Sequence, residues 1–164
     1  YTGVKPDEER SIAEKAESNQ VQEEPAPTET TVDVDELRYE MVQLVNDIRR
    51  ENGLTELTVN QSLMAAAQEC SGGLYTSHKN RVECESVATH GYPHGFGSNL
   101  AVLVGTAPTR IPEKAVSNWE NSPGHYQTMI DPDCDSIGVG ITIDNGRAFC
   151  YMFAGAPGTY NPYG

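Results

Sequence analysis

The sequence predicts an α+β fold or an α-β-α sandwich, in which helices cover a small, mainly antiparallel sheet. Three features carry this prediction: an amphipathic helical stripe near residue 40, an uninterrupted apolar run near residue 100, and a two-strand hairpin near residue 145. The predicted order is helix, helix, loops, strand, helices, strand, strand. A few strands combined with helices in this order favour one sheet covered by helices.

Residues 1–32 are predicted to form a disordered acidic tail or linker, and residues 33–164 a single domain. The tail carries eight acidic residues against three basic ones, and its large apolar residues are few and not periodic. Such a segment cannot bury enough surface to offset the entropy lost on ordering. Two interpretations remain open: a generic linker, and an acidic stalk that holds the domain away from a cell surface.

Charge and hydropathy exclude several classes of partner. The chain has 24 acidic and 11 basic residues, which gives a net charge of −13. Nucleic acids and anionic membrane surfaces are therefore disfavoured, because both bind clusters of Lys and Arg. No apolar run approaches the ~20 residues that span a bilayer, so membrane insertion is not expected. Because the sequence starts at Tyr1 without an apolar leader, we expect any signal peptide to have been removed.

The first helix is predicted from an apolar stripe that begins after Asp33 and ends at Asn52-Gly53. Asp33 with Glu36 resembles a capping box, and Gly is typical just beyond a helix. The stripe has the i, i+4, i+7, i+8, i+11 spacing of one helical face. Its members are Leu37, Met41, Leu44, Val45 and Ile48.

A second helix, Gln61–Cys70, is predicted to begin after the N-cap residue Asn60. Its small residues Ala66 and Ala67 indicate close approach to a neighbouring element. Residues 71–97 are predicted to form long loops, with one short helix over Arg81–Thr89. A loop region of this length is often functional.

The second half of the domain alternates strand and helix signals. Residues 99–104 predict a buried strand, and residues 111–121 predict a helix with Pro112 in its first turn. Ser122-Pro123 predicts an N-cap and the start of a short helix that runs to Ile130. Two strands, 137–143 and 147–154, are predicted to form a hairpin across Asn145-Gly146. On the second of these strands, Phe149, Tyr151 and Phe153 are predicted to pack in the core.

Four dispersed cysteines, Cys70, Cys84, Cys134 and Cys150, contain no C-x-x-C pair. An even number fits two disulfides in an oxidising compartment, although one disulfide or four buried thiols also fit. A Cys70–Cys84 bridge is favoured because it closes a short loop. Cys134 and Cys150 are then paired only by elimination, although the hairpin register places Cys150 opposite Ile141.

Several segments, in the right order, resemble the CAP superfamily of SCP/PR-1-like secreted domains. The segments are residues 45–49 with Gly53-Leu54, residues 63–67, residues 97–101, residues 119–125 and residues 137–140. Residues 119–125 are the most specific, since they read Trp-Glu-Asn-Ser-Pro-Gly-His and resemble bacterial members. The resemblance implies the family's α-β-α sandwich and a secreted, extracellular or cell-surface location.

The resemblance also implies a cleft with two histidines and two acidic residues, which in some members holds a divalent metal. His125 matches the second histidine, and its place in the first turn of a helix favours the neutral imidazole. His78 is the best match to the first histidine, with His90 and His94 as alternatives. Neutral imidazoles combined with carboxylates suit zinc.

The family's carboxylates have no counterpart at the expected positions. Ser98 stands before Asn99 where the family usually has Glu, and Glu120 follows Trp119 at a different spacing. Two imidazoles alone hold zinc weakly, so we expect no cofactor and a metal-free protein after ordinary purification. Ser98→Glu should then raise zinc affinity, whereas tight stoichiometric binding by the unchanged chain would favour an enzyme.

Ser98 and Ser122 are considered as nucleophiles with a histidine base, but no Gly-x-Ser-x-Gly elbow accompanies them. Tyr126 completes the group of cleft candidates. We expect a monomeric, secreted binding module for an unidentified extracellular ligand or protein, with a lipid or another small molecule in the cleft. The alternatives are a metal-assisted hydrolase or protease that uses His78 and His125, and a structural surface module on an acidic stalk.

Overall fold

The computed structural model describes residues 32–164, which contain five α-helices, one 3-10 turn and four strands. The helices are α1 (Val34–Glu51), α2 (Gln61–Gly72), α3 (Asn80–Thr89), α4 (Ile111–Glu120) and α5 (Pro123–Met129), and the 3-10 turn is Pro108–Arg110. The strands are β1 (Thr58–Val59), β2 (Gly95–Val104), β3 (Ser136–Asp144) and β4 (Arg147–Ala156). Except for Val32, the predicted tail lies outside the described residues.

The four strands form one sheet in the order β1-β3-β4-β2. Strand β1 is parallel to β3, whereas β3–β4 and β4–β2 are antiparallel. Strand β2 therefore lies at one edge of the sheet. The mainly antiparallel sheet between helices confirms the predicted α-β-α sandwich.

Two of the three predicted N-cap residues and the hairpin turn act as predicted. The Asp33 side chain accepts hydrogen bonds from the backbone N–H groups of Asp35 and Glu36, and Asn60 accepts one from Leu63. Asn145 and Gly146 both adopt positive φ, 53° and 79°, as a tight hairpin turn requires. The observed bounds of the helices and of the hairpin strands agree with the predicted bounds to within a few residues.

Strand β2 begins four residues before the predicted start at Asn99. Gly95 pairs with Ala156, and the ladder with β4 continues without interruption to Val104 and Arg147. The glycine-rich sequence over 95–97 favours a loop locally. Pairing along the whole of β4 outweighs that local preference, because each added pair satisfies backbone groups that would otherwise be left without partners.

The core divides into two halves, one on each face of the sheet. On one face, residues of α1, α4 and α5 pack against Ala101, Leu103, Cys150 and Met152. On the other face, residues of α2 and α3 pack against Leu100, Val102 and the three strand aromatics Phe149, Tyr151 and Phe153. These aromatics are fully buried, which confirms the predicted core role.

Helix α2 lies close to strand β3, as its small residues predicted. A Cβ atom added at Gly138 or Gly140 would overlap the helix backbone at Leu63 or Ala67. Ala66 and Ala67 are fully buried in the same layer. The approach therefore depends on small residues on both elements.

All four cysteines are free thiols, so the structure contains neither of the two predicted bridges. Cys150 pairs across the sheet with Ala101 and Ile141, and the Cys134 thiol donates to the Ala154 carbonyl oxygen at 3.6 Å. Cys70 is buried in the core layer of α2, whereas Cys84 is half-buried beside a cavity. Burial raises the pKa of Cys70, Cys134 and Cys150 to about 12, which keeps these thiols protonated.

Candidate functional site

A cavity of about 410 Å³ opens beside the edge strand β2, and we call it the cleft. Its walls come from the loop before α3, from β2, from α5 and from the first residue of β4. The lining residues are Thr76, Ser77, His78, Leu100, Val102, His125 and Arg147. Segments far apart in sequence thus meet at one opening.

The floor of the cleft follows from the two-residue periodicity of β2. Leu100 and Val102 point to the same face of the strand, and they line the cleft with 9% and 8% of their surface exposed. Ser98 precedes them on that face. The floor of the cleft is therefore apolar, and Ser98 lies on the strand just before it.

His78 is held at the Ser98 end by a buried carboxylate. Its Nδ1 atom lies 2.8 Å from Oε2 of Glu83, whose side chain is only 4% exposed, and 3.4 Å from Oγ of Ser98. The hydrogen bond to Glu83 raises the pKa of His78 above its ordinary value, and burial opposes this rise. Both partners use Nδ1, and within residues 32–164 Nε2 makes no hydrogen bond.

His125 has a different environment on the other side of the opening. Its Nδ1 atom lies 3.0 Å from Oγ of Ser122, and its backbone oxygen accepts a hydrogen bond of 3.0 Å from Nδ2 of Asn99. Burial lowers the pKa of His125, and the nearby His78 lowers it further. His125 is therefore neutral near pH 7, whereas His78 is the more basic of the two.

Asn99 supports the site from beneath, because its side chain points to the face of β2 opposite Ser98. It is completely buried, and its Oδ1 atom has no hydrogen-bond partner in the described structure. Ser98 instead borders a second, smaller cavity of about 270 Å³ on the far side of His78. That cavity is lined by His78, Asn80, Glu83, Cys84, Phe96 and Ser98.

We next compared the sequence with models of known protein families. The model of the family described as "CAP: Cysteine-rich secretory protein family" matches residues 42–154, which include every cleft-lining residue. The chain belongs to the CAP family. This confirms the family resemblance seen in the sequence.

Bacterial proteins are among the relatives of this CAP chain. The Bacillus subtilis (strain 168) protein YkwD is 27% identical over 93% of the chain, and the alignment spans 63% of YkwD. An outer surface protein from Borrelia burgdorferi has a TM-score of 0.58 and 21% identity, covering 76% of this chain and 96% of its own. An extracellular SCP-domain protein from Bacillus anthracis str. Ames has a TM-score of 0.62 and 19% identity, covering 74% and 40%. Both structural likenesses show a shared fold.

The CAP cleft of this chain does not fit a catalytic zinc ion. A catalytic zinc site usually has three protein ligands and one open position. Over residues 32–164, no group of three or more His, Cys, Asp or Glu side chains is arranged to hold a metal. Glu83 is engaged with His78 Nδ1, and Ser98 carries no charge, so the two imidazoles are the available donors.

The geometry around His78 also does not match that of a serine nucleophile with a histidine base. In a catalytic triad the base uses one ring nitrogen for serine and the other for the carboxylate. Here Ser98 and Glu83 both approach Nδ1 of His78. Ser122 occupies the predicted N-cap position of α5, but its hydroxyl bonds to His125 and makes no capping hydrogen bond.

The remaining predicted site residues lie away from the cleft. Glu120 is exposed at the end of α4, and the Tyr126 hydroxyl donates to Asn52 at 3.2 Å. Of the alternative histidines, His90 is bonded to Glu69 at 3.0 Å, and His94 packs edge-on against Tyr92. The structure thus brings His78, Ser98, Ser122 and His125 to the cleft region.

Two residues of the site were missed by sequence reasoning, Glu83 and Arg147. No carboxylate was expected at the two family positions, and the structure places another one, Glu83, in direct contact with His78. The helical spacing could have indicated the position of Glu83. It lies three residues before Ser86 and four before Val87, and all three are buried on the same face of α3. Arg147 gave no such signal, since it follows the hairpin turn like any exposed strand residue.

Proposed function

We propose that this CAP domain is an extracellular binding module whose cleft receives a small ligand with an apolar body. The observation that carries the proposal is the 410 Å³ cavity with Leu100 and Val102 as its floor. Small-molecule sites commonly have volumes of roughly 300–1,000 Å³, apolar walls and a few polar groups that orient the ligand. His78 and His125 are such polar groups.

The extracellular location is part of the proposal and is supported by relatives. One structural neighbour is described as an outer surface protein and another as an extracellular protein. Within residues 32–164, none of the helices combines the length and apolar character needed to cross a bilayer. On this proposal, residues 1–32 serve as the acidic linker predicted from the sequence.

A metal-assisted hydrolase that uses His78 and His125 is the main competing function. Glu83 favours it in one respect, since a carboxylate on Nδ1 orients an imidazole for metal binding through Nε2. The shortage of further donors weighs against it. Zinc titration by calorimetry separates the two functions, because the binding module requires no tight, stoichiometric zinc.

The binding proposal is tested by filling the cleft. Leu100→Trp places a larger ring on the cavity floor, where it occupies the space that a ligand would use. Octan-1-ol serves as the neutral apolar probe. In amide NMR spectra we expect octan-1-ol to shift resonances of cleft residues in the unchanged protein and to shift them far less in Leu100→Trp.

Tyr160→Trp is the matched control, since Tyr160 is 80% exposed and lies away from the cleft. This variant should respond to octan-1-ol as the unchanged protein does. Shifts that are spread over the whole surface, or that persist in Leu100→Trp, would overturn the proposal. Such a result would favour the structural surface module.

A further inference from the structure

A third cavity, of about 320 Å³, lies between helices α2 and α3, and we call it the α2–α3 groove. None of its lining residues lines the cleft, so the groove is a separate surface whose role the cleft does not explain. Its walls include Glu69 and Cys70 of α2, Tyr75 of the following loop, and Val82, Glu85 and Ser86 of α3.

Two carboxylates give the groove its charge, Glu69 on α2 and Glu85 on α3. Their side chains are 61% and 46% exposed. Glu85 pairs through Oε2 with Arg81 at 2.9 Å, but the lining residues found in the described part of the chain include no lysine or arginine. The groove therefore presents a negatively charged wall to solvent.

Glu69 is held in one orientation by its neighbours. Its Oε1 atom accepts a hydrogen bond of 2.6 Å from Oγ of buried Ser86 and lies 3.0 Å from Nε2 of His90. The bond from Ser86 lowers the pKa of Glu69, and His90 lowers it further, so this carboxylate is ionised near neutral pH. Among the described residues, Oε2 of Glu69 and Oε1 of Glu85 make no hydrogen bond. Each carboxylate thus has one oxygen without a partner.

Apolar side chains border these carboxylates. Val82 and Leu74 are two of the exposed large apolar residues of the domain, and Leu74 directly precedes the wall residue Tyr75. Leu74 has a φ of 58°, a left-handed conformation that is uncommon for leucine. Gly73 lets the Tyr75 ring lie against the end of α2, because a Cβ atom at Gly73 would overlap that ring. The turn after α2 thus places an aromatic ring in the wall and a leucine at the surface.

A buried hydroxyl without a partner lies beside the wall of the groove. Tyr151 is fully buried, and its hydroxyl makes no hydrogen bond to any described residue. Burial raises the pKa of Tyr151, and the nearby groups of Glu83, Cys70 and Tyr75 raise it further. Cys70 and Tyr75 belong to the groove wall. The groove therefore has an acceptor next to it that lacks a donor.

We propose that the α2–α3 groove binds a lysine side chain of a partner protein. This site goes beyond the ligand proposed for the cleft. An ammonium group carries three N–H donors on a flexible stem, and its methylene groups can cover an apolar residue such as Val82. A guanidinium fits less well, because it pairs best with both oxygens of one carboxylate, and Glu69 and Glu85 each have one oxygen engaged.

The exposed apolar rim favours a protein, rather than a free amine, as the source of the ammonium group. Flanking residues of a protein segment can cover Leu74 and Val82, whereas a free amine has no such residues. The net charge of −13 also favours association with a basic partner. The partner is therefore expected to present a lysine between apolar residues.

The test uses three capped tripeptides in which lysine, norleucine or arginine stands between two leucines. Norleucine keeps the apolar stem of lysine without its charge. NMR titrations near pH ~7.5, where lysine and arginine are cationic, follow amide resonances of the groove. We expect the lysine peptide to bind about fivefold or more tightly than the norleucine peptide, with the arginine peptide between them. Pentylammonium, the free amine, should bind more weakly than the lysine peptide.

Variants then assign the preference to the groove. Glu69→Gln removes one charge but keeps an oxygen for the hydrogen bond from Ser86, so the preference for lysine over norleucine should fall to about twofold or less. Glu40→Gln is the matched control, because it removes the same charge from an exposed position on α1 outside the groove. Leu74→Asn, whose side chain tolerates a left-handed φ, should weaken binding of the lysine peptide but not of pentylammonium.

Several results would overturn the proposal. They are absence of binding by the lysine peptide, equal binding of the lysine and norleucine peptides, and a lysine preference that survives in Glu69→Gln. A preference lost equally in Glu40→Gln would show that the overall charge of the chain is its source. Pentylammonium binding as tight as that of the lysine peptide would rule out a protein partner.

The cleft is tested separately from the groove. Octan-1-ol should shift the resonances of cleft residues in Glu69→Gln as it does in the unchanged protein, since the two sites share no lining residue. Loss of those shifts in both proteins would contradict the proposed function alone. Amide spectra of each variant establish that it is folded.

Discussion

The two faces of strand β2 have the same backbone and opposite roles. Ala101 and Leu103 point into the half of the core formed with α1, α4 and α5, and both are nearly inaccessible to solvent. Leu100 and Val102 point to the other face, where they also line an open cleft. One face is sealed by helices, whereas the other is left accessible at the edge of the sheet.

The difference shows how an edge strand can combine stability with binding. The sealed face supplies close packing, and the open face supplies an apolar surface that a ligand can cover. Asn99 links the two, because its side chain lies on the sealed face and holds the backbone of His125 at the rim of the cleft. The rim is thus positioned from within the core.

The sharpest test of this comparison replaces one leucine on each face. Leu103→Ala should lower the free energy of unfolding by about 2–5 kcal/mol, because it removes buried carbons and leaves a cavity. Leu100→Ala should cost about 2 kcal/mol or less, since water can enter the space at the cleft. Urea denaturation measures both, and equal losses would contradict the contrast between the faces.

A second test breaks the link between the faces. Asn99→Ala removes the hydrogen bond to the His125 carbonyl oxygen and leaves that partly buried acceptor with one partner fewer. We expect a loss of about 1–3 kcal/mol in unfolding free energy, together with changed imidazole resonances of His125. Asn121→Ala is the control, because Asn121 is exposed and bonds locally to Ser117. Unchanged His125 resonances would show that Asn99 does not position the rim.

The third test concerns only the open face and should have the smallest effect. Glu83→Gln should bring the pKa of His78 down towards its ordinary value, as measured by NMR titration of the ring. The raised pKa of His78 stabilises the fold below the unfolded pKa of ~6.5, and this stabilisation is lost as pH rises through the folded pKa. Stability of the variant should therefore depend less on pH in this window.

Glu85→Gln provides the comparison for that titration, since Glu85 lies on the same helix but pairs with Arg81 at the surface. It should leave the pKa of His78 unchanged. If Glu83→Gln also left the pKa unchanged, the Glu83–His78 hydrogen bond would not be the source of the shift.

Local chemistry in the sequence determined most of the secondary structure. Asp33 and Asn60 cap their helices, and Asn145-Gly146 forms the hairpin turn, because each acts within a few residues. The family resemblance of residues 119–125 identified His125 in advance. His78 is the best match to the family's first histidine, and the structure places it in the same cleft.

The tertiary structure alone decided which groups complete the cleft. Residue type alone does not distinguish Glu83 from the other acidic residues. Its pairing with His78 depends on how α3 packs against the preceding loop. Arg147 faces the cleft because the register of β4 sets it opposite Val104. The cysteines likewise stay apart because strand pairing gives Cys150 other neighbours. These outcomes depend on contacts between distant segments, which local propensity and spacing do not encode.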